Sequence, residues 1–275
     1  KFIFNVSDLW PESAEKLGLV SNPIFLKMAT ALEEYLYKKA TLISGQTMGI
    51  VNNIQERFPN KKLYWLPNGV DLNYYKPENI QSNWREENGF SKEDKLFLYA
   101  GIIGHAQGLE VILKAAEFLK NEKKAKFILL GSGPCKADLQ IMAEQLSLTN
   151  VTFLDAVTKK EMPFILKAID IAIIPLKKLD LFKGAIPSKI FENLAMKVPI
   201  LLGVEGEAKK LFIDEAKAGV FFEPENALDL SEKVLEILKN EDKIKELGEN
   251  GAKYVAQKFN RDTLAQLFYN QLRSL

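Results

Sequence analysis

The residues best suited to binding chemistry fall in the stretch FKGAIPSKIFENLAM, residues 182–196. Ser188 is a natural helix N-cap with Pro187 just before it, so the spacing predicts a helix beginning there. A capping box would need Glu or Gln three residues after the serine, and that position is Phe191. Glu192 is one residue too far to cap, so its carboxylate has one of two other roles. It is either a solvated first-turn acid, favoured by about 0.3–1 kcal/mol in the helix dipole, or an acceptor for two vicinal hydroxyls. Lys183 and Lys189 stand near the same helix start, where the dipole disfavours cations. That placement makes sense around a bound anion such as a diphosphate, with Ser188 beside it, and both readings of the stretch stay open at this level.

Three further loops follow apolar runs. GIIGHAQG, residues 101–108, has glycines at 101, 104 and 108, which let a backbone approach a phosphate at a helix start. Its spacing is not the dinucleotide G-x-G-x-x-G, and a plain strand-to-helix turn fits as well. His105, the only histidine, lies in this loop as a minor catalytic candidate. GSGP, residues 131–134, is a turn whose Gly133 is a candidate for contact with a base. In DAVTKKE, residues 155–161, Ala156 and Val157 offer backbone groups to a flat base or simply form a polar turn. No Asp-x-Asp motif is present to hold a divalent metal on a diphosphate, which favours a metal-free site neutralised by helix termini and lysines.

Elements that position these loops can be read from the apolar pattern. Short runs at 96–100, 127–130, 151–154, 169–174, 200–202 and 220–222 alternate with amphipathic stretches. Runs apolar on both faces are the mark of a parallel sheet covered on both sides, so residues 81–255 predict a doubly wound, Rossmann-like α/β domain. Leu109, Ile112, Leu113, Ala116 and Leu119 lie at helical spacing between the first two runs. Residues 1–66 repeat the theme: a strand at 1–6, a helix near 23–39, a strand at 40–44, a helix near 47–57 and a strand at 62–66. They read as the tail of a second α/β domain. A Pro-, Asn- and Gly-containing linker, 67–80, separates the two. A final helix within 256–275 carries Leu264, Leu267, Phe268, Leu272 and Leu275 along one stripe and is expected to pack back toward the first domain.

Composition narrows the function. With 37 Lys+Arg against 36 Asp+Glu the net charge is +1, which argues against a broad basic face for nucleic acid. A single cysteine, Cys135, and a single histidine exclude an internal disulfide and a Cys/His metal cluster, as expected in a reducing compartment. No apolar run approaches the roughly 20 residues of a membrane span, and no signal peptide is visible. The chain opens within a strand pattern and without an initiator methionine, so further sequence is expected upstream.

Taken in order, LPNGVD (residues 66–71), YAGIIGHAQGLEVILKAAEFL, FILLGSGP and IPSKIFENLAMKVPIL resemble the motifs of a family 4 glycosyltransferase of GT-B fold. SDLWPES, AQGLE and PSKIFE are similar to bacterial transferases of N-acetylated amino sugars, fucosamine-type among them, that serve O-antigen, capsule or colanic-acid-like polysaccharide assembly. The resemblance runs through nearly the whole chain. It implies a retaining transfer from a UDP-sugar held by the C-terminal domain, residues 1–66 being a remnant of the acceptor domain. Glu192 matches the second acid of the family's Glu-x7-Glu motif, which binds the ribose. The first acid falls at Gly184, so the backbone of Gly184, Ala185 and Ile186 is expected to serve the donor sugar. The family's diphosphate-binding arginine and lysine fall at Ile102 and Gln107, which shifts that role to Lys183 and Lys189, with Gly104 and Ser188 at the helix starts. Where many relatives carry a histidine after the first strand, this chain has Ser7 and Asp8, and Asp8 is the catalytic candidate there beside His105.

The implied enzyme is a hexosyltransferase with no cofactor and no metal, a UDP-sugar co-substrate and a polyprenyl-diphosphate-linked saccharide acceptor. It would be cytoplasmic, working at the inner face of the cytoplasmic membrane, without nucleic acid. The alternatives are a GT-B-like nucleotide-sugar 2-epimerase, which would need acid/base groups in the cleft, and a non-catalytic nucleotide-binding or assembly module.

Overall fold

A computed structural model describes residues 1–275. Two parallel sheets organise the chain. The smaller has three strands, β1 (Ile3–Val6), β2 (Leu42–Gly45) and β3 (Leu63–Trp65), side by side in that order. The larger has six: β4 (Lys95–Ala100), β5 (Ala125–Leu130), β6 (Val151–Leu154), β7 (Ile171–Pro175), β8 (Ile200–Gly203) and β9 (Gly219–Phe221). Their order is β6-β5-β4-β7-β8-β9. The chain winds outward from β4 to β6, returns to the centre at β7 and winds the other way, so the switch point lies between β4 and β7. Open α/β sheets bind ligands beyond the carboxyl ends of the strands at such a point.

The double-sided apolar runs are explained by the two layers they face. Leu96, Leu98, Ile128, Leu130 and Ile174 belong to one core, with Ile190, Phe191 and Leu194 of the helix Lys189–Ala195. Phe97, Tyr99, Phe127, Leu129 and Ile173 belong to the other, with Ile112 and Leu113 of the helix Glu110–Phe118 and Val234 of the helix Ala227–Leu238. Each such side chain contributes about 1.5–3 kcal/mol on burial, which is why central strands carry apolar residues on both faces. All five residues read at helical spacing, Leu109 to Leu119, are buried.

Some bounds differ from the pattern for identifiable reasons. The strand expected at Ile169 begins at Ile171, because the Asp170 carboxylate takes the Leu96 amide at 2.8 Å and the Arg85 guanidinium at 2.7 Å. The linker is well anchored. Val70 and Tyr75 are almost wholly buried, Val70 pairs with Asn260, and Asp71 accepts from the amides of Asn73 and Tyr74. The last helix, Arg261–Arg273, lies against β3 and the linker. Phe268 meets Tyr64 with ring centroids 5.4 Å apart and Leu264 packs at Gly69, while Leu267 of the same apolar stripe is exposed. No helix is long and apolar enough to cross a membrane.

Candidate functional site

A cavity of about 1260 Å³ lies between the two sheets, over the carboxyl ends of β4 and β7. The smaller sheet's side contributes Asp8, Thr47, Gly49 and Asn53, and the larger sheet's side contributes the loops after β4 and β7 and the helix start at Ser188. It brings together Asp8, Ala156, Val157, Gly184, Ala185, Ile186, Ser188, Lys189 and Glu192 around one cavity.

Four expected residues stand elsewhere. Lys183 belongs to the 3-10 turn Asp180–Gly184, where side chains three apart eclipse, so its ammonium pairs at 2.7 Å with Asp180, which lines the cavity where Lys183 itself does not. His105, in the 3-10 turn His105–Gln107, meets the Cys135 thiol (Sγ to Nδ1 3.2 Å) outside the cavity wall. Gly104, which opens that turn, is likewise outside the wall. Gly133 has a φ of +155°, and a Cβ built there would lie 2.3 Å from the carbonyl oxygen of Ile103. Its glycine lets the loop after β5 nest against the loop after β4 (Ile103 N–H to Ser132 O, 2.9 Å), a packing role. Ser188 is also a correction. It occupies the N-cap position but is already helical (φ −59°, ψ −28°), and its hydroxyl caps nothing. The first turn closes instead through Ile190 N–H to the Pro187 carbonyl and Phe191 N–H to the Ser188 carbonyl, leaving the exposed Ser188 hydroxyl on the cavity.

Lys189 is the cation of this wall. Its ammonium sits 3.8 Å from the centroid of the Tyr99 ring, in the space that a side chain at Gly101 would take. Burial pulls its pKa down to about 7, with the Glu192 carboxylate opposing the shift. On the smaller sheet's side, Asp8 accepts from the Ser13 hydroxyl at 2.9 Å. The loop carrying Ala156 and Val157 is stapled by Lys136, which donates to the carbonyls of Gly131 and Leu154, both at 3.0 Å, and to Asp155 at 2.7 Å.

Two residues that sequence reasoning passed over line the same wall. Tyr75, from the linker, is only 2% exposed, and its hydroxyl has no hydrogen-bond partner in the protein. Asn193 is also buried; its Nδ2 donates to the Lys189 carbonyl at 2.7 Å while its Oδ1 is unpartnered. Asn193 had a legible signal, a polar side chain among the core residues Ile190, Phe191, Leu194 and Ala195 of one short helix. Tyr75 had none, because a linker has no periodicity against which an inward residue stands out.

The two sheets' halves meet at the cavity's edge. The Glu207 carboxylate accepts from the amides of Met48 and Gly49, each at 2.8 Å, at the start of the helix Met48–Arg57. A Cβ at Gly49 would lie 2.7 Å from the Gly184 Cα. The backbones therefore touch where the expected first acid is replaced by glycine.

Residues 80–254 match the family model described as glycosyl transferases group 1. The chain is 25% identical over 246 residues to the probable glycosyltransferase WbjE of Pseudomonas aeruginosa, covering 86% of this chain and 60% of that protein. It is 21% identical over 260 residues to the O-antigen chain mannosyltransferase C of Escherichia coli, covering 94% of this chain and 67% of the relative. The chain thus spans about 60–67% of the length of these relatives. Anabaena Alr3699/HepE, solved in complex with UDP and glucose, superposes with a TM-score of 0.80 at 17% identity, over 99% of this chain and 71% of that one. At that identity the likeness speaks for the GT-B fold alone. With the family model covering residues 80–254, most of the chain, this protein belongs to the group 1 glycosyltransferases.

Proposed function

We propose that the chain is the donor-binding and cleft-forming part of a retaining glycosyltransferase that moves a sugar from a UDP-sugar to a polyprenyl-diphosphate-linked glycan in bacterial surface polysaccharide synthesis. The sugar is an N-acetylated amino sugar of the fucosamine type. The observation that carries the reading is the convergence of Lys189, Glu192 and the Gly184–Ile186 backbone on one cavity at the switch point of the larger sheet. In it Glu192 takes the ribose hydroxyls, Ala156 and Val157 border the base, and Lys189 with the Ser188 hydroxyl receives the diphosphate. The donor sugar lies against Gly184, Ala185 and Ile186, facing Asp8 across the cleft. The apolar neighbours Leu9, Leu17 and Phe182 favour the methyl groups of a 6-deoxy, N-acetylated sugar. Work at the inner membrane face and independence of metal belong to the same proposal. The 2-epimerase alternative is weakened by the seating of His105 on Cys135, away from the cleft.

Calorimetry on a folded Glu192→Ala variant tests the reading. UDP affinity is expected to fall by about 1.5–3 kcal/mol, the scale of hydrogen bonds to a charged group, and unchanged affinity would sink the ribose assignment. Metal independence is checked separately: excess EDTA is expected to leave UDP binding unaltered.

A further inference from the structure

Glu192 does not stand alone in the wall. Tyr75, only 2% exposed, lines the cavity from the linker side, and its hydroxyl finds no partner in the protein. Buried hydroxyls are normally paired, and one that is not asks for an explanation. The charge that acts on it most strongly is Glu192: burial first, then the Glu192 carboxylate, holds the Tyr75 pKa well above the ordinary phenol value, Arg261 acting weakly the other way. Tyr75 therefore stays protonated across the physiological range, a donor facing a carboxylate that accepts. The Glu192 carboxylate acts on the hydroxyl both as a charge and as a hydrogen-bond acceptor, although the pair falls short of strict hydrogen-bond geometry.

The segment that carries Tyr75 is held firmly enough to make this placement count. Asp71 accepts from the Asn73 and Tyr74 amides, the Tyr74 hydroxyl donates to the Lys159 carbonyl at 2.9 Å, and the Tyr74 and Tyr75 rings meet edge-on at 5.1 Å. Lys159 belongs to the loop after β6 that borders the cavity. The linker tyrosines are thus fixed to the larger sheet's own loops as well as to the chain between the two sheets.

We infer that Tyr75 is a positioning residue for Glu192: its hydroxyl donates to one carboxylate oxygen and turns the other toward the vicinal diol of the nucleotide. The inference rests on the reading of Glu192 as the ribose acceptor. A carboxylate without this donor has more freedom to rotate and aims less well at two hydroxyls at once. The buried, unpartnered Asn193 Oδ1 adds a further acceptor to the same wall, which suits a ligand that carries hydroxyls.

The test compares UDP with 2′,3′-dideoxy-UDP by calorimetry on the full 275-residue chain and on its Tyr75→Phe, Glu192→Ala and doubly substituted variants. The chain itself is expected to prefer UDP by about tenfold or more, and Tyr75→Phe to lose about fivefold for UDP with dideoxy-UDP unchanged. On the Glu192→Ala background Tyr75→Phe is expected to cost nothing further, since the two act as a unit. The melting temperature of Tyr75→Phe is expected to hold, because only a hydroxyl without a partner is removed. Equal weakening for both nucleotides marks a packing role and overturns the inference. Full discrimination retained by Tyr75→Phe overturns it while leaving the diol reading intact. A chain that binds both nucleotides equally overturns the diol reading, and the inference with it.

Discussion

Lys189 is the cation that the proposed diphosphate would pair with. Its ammonium faces the Tyr99 ring and no carboxylate pairs with it at salt-bridge distance, so burial keeps its pKa near 7. A diphosphate placed against it favours the charged form and raises that pKa. The bound state then holds more protons than the free state between pH 7 and the raised value, so affinity falls as pH rises through that window. Below pH 7 Lys189 is charged in both states and contributes no slope. Calorimetry of UDP at pH 8, above the pKa of about 6 of a terminal phosphate, in buffers of different ionisation enthalpy is expected to show proton uptake, and Lys189→Met to abolish it. The sign is opposite for stability. A lysine whose folded pKa lies below its unfolded value costs stability at and below the folded value and regains it as pH rises, so Lys189→Met is expected to raise the melting temperature at pH 7 while weakening UDP binding.

Among the elements, the loops after β4 and β5 depend on each other. Backbone bonds link Gly101 N–H to Leu130 O and Ile103 N–H to Ser132 O, both at 2.9 Å, and Cys135 N–H to Ile103 O at 3.1 Å. Gly133 sits at one of the close approaches, with positive φ and no room for a Cβ. Gly133→Ala is expected to destabilise the fold by about 1–3 kcal/mol, the cost of a residue held in such a backbone region, readable as a lowered midpoint in urea. This nesting also accounts for much of what the loops' composition left open. GIIGHAQG suggested backbone approach to a phosphate, and GSGP a turn with Gly133 against a base. Gly131 and Gly133 serve backbone approach to the first loop, Gly108 lies against Lys177, and Gly101 alone of those in the first loop clears the space for the Lys189 ammonium at the cavity.

Across the whole molecule, the cleft is closed at its edge by a small contact. Glu207 takes two amides at the start of the helix Met48–Arg57, where the helix dipole also favours an anion, and Gly49 packs on Gly184. Losing two hydrogen bonds to a charged group costs roughly 1.5–3 kcal/mol each before solvent replaces them. That is ample to shift an equilibrium between closed and open clefts. Glu207→Ala is expected to enlarge the radius of gyration measured by small-angle X-ray scattering and to speed amide exchange at Met48 and Gly49. Unchanged scattering together with unchanged exchange would mean that the remaining contacts alone hold the two halves. The same contact crowds position 184: a Cβ there would sit 3.2 Å from the Gly49 Cα, so a larger side chain would have to press that backbone back.

By itself the sequence determined the parallel α/β fold and the stretch around Glu192. Two-sided apolar runs have few alternatives to a covered parallel sheet, and a misplaced acid at a helix start stands out in one dimension. Glu192 and Lys189 were legible because they lie three residues apart on one helix, where local geometry already puts them on one face. Only the tertiary structure decided which other candidates reach the cavity. Lys183 pairs with Asp180 three residues before it, His105 meets Cys135 of the loop after β5, and Gly133 is spent on packing two loops together. Tyr75 enters the wall from a linker 117 positions before Glu192. Such a meeting is set by how the two sheets and their connection pack, and no spacing along the chain encodes it.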